Sequence, residues 1–520
     1  MSTIRLQTNQ NRLIANLRHA FTQASMLGEL LQNARRARAS HIHITVDGDV
    51  LTVSDDGTGI ADLQTLISIA ESGWDKSLQA RENAFGLGVL STLYFAHSLR
   101  VHSLGKAFRA ETASIIRGEE VEVISAAPRV GTEIRLHRVH SPQGVVSLQA
   151  WVANELVRLC EAFPVPVTFN GVDIARPLAD PSLPWRQTAM GKVLIDLSGT
   201  TLHWRCFLQG LPIGDQYHHS HSQVVLLPDD TLAKLPDRQH LLNEAEDQAR
   251  IQAAVTQAYR EALIEARSEL VASAFIERHA QNCLDSGNAD LLNDVPFVPR
   301  SWFRNWELEL AGFRGFWDRY PADGLVSRED IEASGVWTIE ADEEYRALAA
   351  ETYLEAAKAF LLEESHLSEG HWLTALTNVL TPDQVQVRSG SVVHHSSDPG
   401  LADYEVELTL VKTLEVGLDG KPGYAVVAVR DGSTLYLTPS AYAPTNLVSD
   451  YIFDDRYSED REDEDAQALR TFVAVGCSIS PAHVVEALLP PSLRLTAQPK
   501  LARATVCLTF DDDGKLAAVQ

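Results

Sequence analysis

The sequence predicts an α+β protein: a layered α/β sandwich over residues 1–145, a second α/β domain over 146–295, and an acidic α+β region over 296–520. Three observations predict it. Apolar residues recur at helical spacing through residues 10–37, strand-like alternation with turn residues follows at once, and the segment continues as helices and hairpins, not as regular βαβ repeats. The length of 520 residues fits two to four domains of roughly 100 to 200 residues each.

The elements follow in order. Leu13, Ile14, Leu17, Ala20, Phe21, Leu27, Leu30 and Leu31 share one face of a helix that no proline interrupts. Ile42, Ile44 and Val46 alternate with polar residues, Asp47-Gly48-Asp49 turns the chain, and Leu51 and Val53 resume the alternation, which makes a hairpin running into SDDGTGI. Asp62 is placed to cap a short helix to about Glu71, residues 72–85 are polar and glycine-containing, and a helix runs from near Leu87 to about Ala96. Strands are expected near 98–103, 107–115, 120–125 and 132–138. After a joint at Ser141-Pro142-Gln143-Gly144, a helix over 148–163 and a strand over 165–169 open the second domain. Alternation at 191–197 and 201–208 and one long amphipathic helix across 243–277 complete it. Beyond 296 come tryptophans expected to fill a core, a helix near 341–364 and strands after 385. Residues 454–465, with eight carboxylates and two arginines, read as a solvated or disordered loop.

Composition narrows the function classes. No run approaches the ~18 apolar residues of a membrane helix, and the polar start MSTIRLQTNQN lacks a secretory apolar core, so no membrane partner and a cytoplasmic location are expected. Cys160, Cys206, Cys283, Cys477 and Cys507 lie far apart, which fits reduced core thiols better than a disulfide or zinc framework. The net charge is −26, yet residues 1–150 carry 15 Lys and Arg against 14 Asp and Glu, leaving 29 against 56 for the rest. Nonspecific nucleic-acid binding by that later part is disfavoured, although totals do not speak to a local basic groove.

Chemistry-bearing residues fall in three early segments. In GELLQNARRA, Glu29 and Asn33 stand four apart on a helix and project from one face. The carboxylate suits a general base and the amide oxygen a magnesium ligand, while an ordinary exposed polar pair is the simpler alternative. In VSDDGTGI, Asp55 ends a strand, and Gly57 and Gly59 permit a tight loop; a buried carboxylate there can accept from an exocyclic amine such as adenine's, a DDG turn being the alternative. In NAFGLGVLS, Gly86 and Gly88 open a helix whose amides suit phosphate.

The order E-x3-N, D-x-G-x-G, a glycine-rich helix start, then Gly131-Thr132-Glu133-Ile134 resembles the GHKL superfamily of Bergerat-fold ATPases. IAESGWDKS followed by AFGLGVLSTLYFA is most similar to the ninety-kilodalton heat-shock chaperones, and the resemblance covers residues 1 to ~140. It implies a Bergerat-fold first domain and a transducer-like or middle-like second one. It makes Glu29 the general base of ATP hydrolysis, Asn33 the Mg2+ ligand, Asp55 the adenine reader, and Gly57, Gly59 and Ile60 the adenine loop. Gly86, Leu87 and Gly88 become the phosphate cradle, Thr132 an adenine-pocket hydrogen-bonder, and residues 72–85 a lid. Asn83 stands where the family has the first glycine of G-x-x-G-x-G, and Arg36 where the chaperones have an acid; Arg36 is either a phosphate contact or a surface arginine.

The family also implies a cation from the second domain that reaches the γ-phosphate. Lys192, Arg205, Lys234 and Arg238 are candidates, with Arg238 the first choice. The histidines of YHHSHS and the pair His366 and His371 are poor metal ligands, the first by adjacency and the second by a broken helical register. The resulting expectation is a slow ATPase, a chaperone-like conformational machine acting on a protein client, with a nucleotide-dependent homodimer implied by the resemblance. An ATP-gated DNA-associated clamp and a non-hydrolysing ATP sensor are the alternatives.

Overall fold

A computed structural model of the chain describes residues 14, 17–68, 88–142, 144–199, 203–214, 223–234, 239–306, 322–341, 344–403, 405–449, 451 and 459–520. Its contacts divide the chain into two compact units, Met1–Val271 with Arg278–Leu291, and Ala272–Glu277 with Leu292–Gln520. Both contain helices and sheets, as an α+β class requires. No described helix is long and apolar enough to cross a membrane.

In the first unit, helix α1 (Gln23–Arg36) starts later than the apolar spacing predicts. Thr22 is extended, at φ −116° and ψ 164°, and forms a capping box with Ser25, which sets the start of the helix. The hairpin of β1 (Ile42–Asp47) and β2 (Val50–Asp55) has the predicted turn, with Asp47 opposite Val50 and Gly48 at φ +59°. Alternation along β1 is strict, with Ile42, Ile44 and Val46 buried and His43, Thr45 and Asp47 exposed. Asp62 accepts from the amide of Gln64, 3.1 Å away, at the head of α2 (Gln64–Ile67). Helix α3 (Gly88–Phe95) leads to β3 (Ser98–Ser103) and β4 (Lys106–Glu111). The strand predicted over 107–115 stops at Glu111, because Thr112–Ile116 forms a short helix, α4. Only Ile124–Ser125 of the next predicted strand pairs, as β5, before β6 (Thr132–His137).

Helix α5 (Leu148–Cys160), β7 (Val167–Phe169) and β8 (Val172–Asp173) differ from the predicted organisation. Although the expected second domain opens with them, β7 pairs parallel to β1, and all three elements complete the first layer. The sheet order is β5-β4-β3-β6-β2-β1-β7-β8. One face is apolar: Leu51, Val53, Leu99, Val101 and Leu136 pack with Met26, Leu27 and Leu31 of α1 and Leu90 of α3. Burying each leucine contributes about 1.5 to 3 kcal/mol, which holds α1 and α3 against the strands.

A second sheet in the same unit has β9 (Arg186–Thr188), β10 (Gly191–Leu194), β11 (Trp204–Leu208), β12 (Leu211–Ile213) and β13 (Gln223–Leu227) in the order β12-β11-β13-β10-β9. The predicted long helix divides. Leu270 is extended and ends α6 (Glu244–Glu269), and α7 (Ala272–Asp285) begins two residues later.

The second unit has its own apolar clusters. Helix Glu344–Ala357 packs with Val411, Leu414 and Val416, and Leu469 and Phe472 pack with Leu408, Leu410 and Leu435. Trp302 and Trp372 are buried and Trp306 and Trp337 partly so, as core tryptophans should be; Trp317 lies outside the described residues. The acidic stretch is a correction. From Glu459 it is helical, and Glu462 and Asp465 are buried, accepting from the hydroxyls of Thr445 and Tyr451 at 2.7 Å each. A carboxylate with such donors can be buried where an unpaired one cannot. Cys160, Cys206 and Cys283 are core thiols, pushed up to about 12 by burial, whereas Cys477 and Cys507 are exposed, against the expectation.

Candidate functional site

The capped start of α1 determines the phase of its polar residues. Glu29, Asn33 and Arg36 at i, i+4 and i+7 fall on one face. Glu29 and Asn33 line the same cavity, which Gly88, Thr92 and Ile134 also line. Its volume is about 10 Å³, room for about one water. A Cβ added at Gly88 would overlap the Glu29 carboxylate. The missing side chain therefore lets α3 meet α1 at this point. Arg36 is buried, with Nη1 3.9 Å from Oε2 of Glu29, so it faces the acid and is not a surface arginine.

The two adjacent aspartates take opposite roles. Asp55 turns inward and accepts from the Gly57 amide, 2.9 Å away, and from the Thr132 amide. Burial raises its pKa above the ordinary carboxylate value, against those two hydrogen bonds and the charge of Arg129. Asp56 turns outward to the Ser40 hydroxyl and accepts from the amides of Ser40 at 2.7 Å and His41 at 3.0 Å; the hydroxyl and the His41 amide hold its pKa below the usual range.

Close backbone approach requires the glycines around Asp55. At Gly57 a Cβ would lie 2.6 Å from the Ala37 carbonyl. Gly131, at φ +71°, lies so close to the Asp55 carbonyl that a Cβ there would overlap it. Gly59, at φ +72°, lies under Leu104 and Ser103. The Ile60 amide donates to Ser103 Oγ at 2.7 Å, and that oxygen is 3.0 Å from both Thr132 Oγ1 and the Gly131 carbonyl. Thr132 is buried. The D-x-G-x-G loop and the G-T-x-I strand are thus tied into one structure beside Asp55. Gly86, Leu87 and the expected lid lie outside the described residues, as do His218, His219 and His221.

Two contributors escaped the sequence reading. Ser103 is fully buried at the end of β3, in the register of buried Leu99 and Val101, and a polar residue in that register was its available signal. Arg129 donates to Ser54 Oγ at 2.7 Å and to Glu133 at 3.0 Å; its only sequence signal was standing four residues before Glu133.

The candidate cations are distributed differently from the expectation. Arg205 pairs with Glu161 at 2.7 Å, Lys234 with Glu244 at 3.0 Å, and Lys192 is exposed on β10. Arg238 lies outside the described residues. Its neighbour Gln239 donates to Thr22 Oγ1 at 3.2 Å, on the cap of α1. Gln32 donates to the Gln209 carbonyl at 3.1 Å, and Leu211 lies 3.3 Å from where a Gly28 Cβ would be. The second sheet is therefore coupled to the helix that carries Glu29. Among the described residues, no group of three His, Cys, Asp or Glu side chains could hold a metal ion.

No protein-family model matches the chain, and no curated protein matches it.

Proposed function

We propose that the first unit binds MgATP and hydrolyses it to ADP and phosphate, and that the chain works as an ATP-driven conformational machine on a protein client, with a nucleotide-dependent homodimer as its assembly. One observation carries the reading: Glu29 and Asn33, a helical turn apart, line a single cavity with Gly88. Four motifs of the Bergerat-fold ATPases, met in order along residues 29–134, support it.

In this reading Asp55 accepts the adenine amine, since an inward carboxylate already held by two amides is oriented and selective against a purine with oxygen at that position. Gly57, Gly59, Ile60 and Thr132, tied together beside it, would wall the adenine site. Gly88 opens α3, whose first backbone amides would cradle phosphate, and the resemblance assigns Gly86 and Leu87 to the same cradle. Mg2+ fits the donor set, because a hard cation that keeps several waters needs only one or two protein oxygens, and the Asn33 amide oxygen is one. Bound there, the ion would neutralise phosphate charge. Glu29 takes the proton of the attacking water, and Arg36, which faces Glu29, is positioned to exchange that carboxylate for a phosphate oxygen. A nucleotide does not fit a space the size of one water, so binding requires Glu29 and the start of α3 to part. That motion would pass through Gln32 and Gly28 to the second sheet.

The test is Glu29→Ala in the full chain, followed by phosphate release and by equilibrium binding of labelled ATP. Turnover is expected to fall by at least about a hundredfold with binding retained. Unchanged turnover removes Glu29 as base, and no ATP binding at millimolar concentration by the parent protein removes the reading altogether.

A further inference from the structure

Among the described residues, the eight-stranded sheet has helices on one face and leaves the other open. On the open face the register brings residues distant in sequence into one row: Arg109 opposite Arg100, Arg100 opposite Arg135, Arg135 opposite Thr52, and Thr52 opposite Thr45. Arg109, Arg100 and Thr45 are exposed, and Arg135 and Thr52 half-buried. Like charges directly across strands destabilise a sheet. Three arginines side by side call for an anion, yet among the described residues none of them forms an ion pair, and Arg135 Nε is buried without a hydrogen-bond partner. Acids stand near the row without pairing with it, and Glu111 and Asp49 line one cavity with Arg109 and His137. Glu133 accepts from Arg129 at 3.0 Å, Glu111 lies 3.9 Å from His97 Nε2, and Asp49 and Asp47 sit at the β1–β2 turn. His137, on the same face, has its pKa lowered by burial first and then by the charges of Arg109, Arg135 and Arg100, with Asp49 opposing them.

We propose that this open sheet face docks the phosphate backbone of a nucleic-acid strand, held without base readout by Arg109, Arg100, Arg135, Thr52 and Thr45. Charge and side-chain type select this partner over an acidic protein segment. Arginine and threonine are phosphate-contacting residues, and the row crosses five strands, four spacings of ~4.8 Å or about 19 Å in all, long enough to follow several successive phosphates of one strand. A protein partner would need an apolar or aromatic anchor at the centre, and this row has none. The five residues of the row come from residues 1–150, where Lys and Arg balance Asp and Glu, and Asp173 of β8 is an acid from beyond residue 150 that the register places on this face, at its far edge. The inference is independent of the ATP reading, since none of the five residues lines the cavity beside Glu29.

The experiment uses the full chain and a fluorescein-labelled oligothymidine of about 30 nucleotides, with anisotropy followed from about 50 to 200 mM salt. Binding that weakens linearly in log–log form with salt is expected. The variant Arg100→Gln/Arg109→Gln/Arg135→Gln should bind at least about tenfold more weakly and lose about 2 from the salt slope, at ~0.7 per single-strand phosphate. Its thermal unfolding should come no earlier than the parent's, because a like-charge row has been relieved. The single exposed change Arg109→Gln should weaken binding about threefold and decides the matter if the triple variant does not fold. No binding at low salt, an unchanged slope in the variants, or equal competition by polyglutamate would overturn the proposal, the last in favour of an acidic protein.

Discussion

The approach of α3 to α1 can be tested through Gly88. Replacing Gly88 by alanine adds one methyl group, and its carbon would overlap the carboxylate of Glu29, whose Cγ would also lie only 3.1 Å away. Gly88 opens an eight-residue helix, so in open space the change would stabilise by up to about 1 kcal/mol through helix propensity. Here the carboxylate has to leave, or the two helices have to separate, and overpacking of this kind costs about 1 to 3 kcal/mol. The net expectation is a loss of up to about 2 kcal/mol. In a Glu29→Ala background the obstructing atoms are gone, and the same Gly88→Ala change should become neutral or stabilising. The coupling energy of the cycle is therefore about 1 to 3 kcal/mol, read from urea midpoints of the four proteins at constant slope. Gly88→Ala alone should also lower ATP turnover, because the displaced carboxylate is the proposed base. Additivity within about 0.5 kcal/mol would refute the contact, and with it the convergence of the two motifs.

Three further outcomes follow from single residues. Asp55→Asn replaces an acceptor-only group held by the Gly57 and Thr132 amides, and should weaken ATP binding by about 1 to 3 kcal/mol by calorimetry; equal affinity would free Asp55 of its adenine role. Thr22→Ala removes the hydroxyl of the α1 capping box and the acceptor of Gln239, and should cost about 0.5 to 2 kcal/mol in urea denaturation, less than that if the helix starts elsewhere. His371 is buried beside Trp302 and Trp372, and burial lowers its pKa from 6.5 to about 4. The unfolded chain then holds a proton that the folded one does not, so stability should be full above pH ~6.5 and fall by about 3 kcal/mol toward pH ~4. Tryptophan fluorescence across a pH series of urea titrations reads this, and His371→Gln should flatten the dependence; a parent protein with no slope in that window would show that the imidazole is not buried neutral.

Local pattern determined a good deal of this protein. The β1–β2 hairpin was legible because alternation has a period of two and Gly48 can take a positive φ, and both signals lie within a few residues. The side-by-side placement of Glu29 and Asn33 was legible for the same reason, since four residues are about one helical turn wherever the helix lies. The start of α1 at Gln23 was missed although Thr22 and Ser25 mark it, because the apolar spacing continues upstream while two extended residues, Phe21 and Thr22, separate α1 from a helical turn over Arg18–Ala20. The helix over Thr112–Ile116 was missed because five residues are too few for periodicity to separate helix from strand.

Tertiary structure decided what depends on contacts between distant residues. Val167–Phe169 reads as a strand from its composition, but nothing near it in the chain says that its partner is Ile42–Ile44. Asp55 and Asp56 are chemically identical in sequence, and only the pleat of β2, with the amides of Gly57 and Thr132 on one side and Ser40 on the other, turns one inward and the other out. The acids of 459–465 read as solvated until the hydroxyls of Thr445 and Tyr451 supply donors that make burial of Glu462 and Asp465 tolerable. Arg109, Arg100 and Arg135 become neighbours only through the register of three strands. The physical reason is common to all of these: backbone geometry repeats over a few residues and can be read along the chain, whereas strand order, burial and electrostatic environment are properties of the packed sheet, which no short window contains.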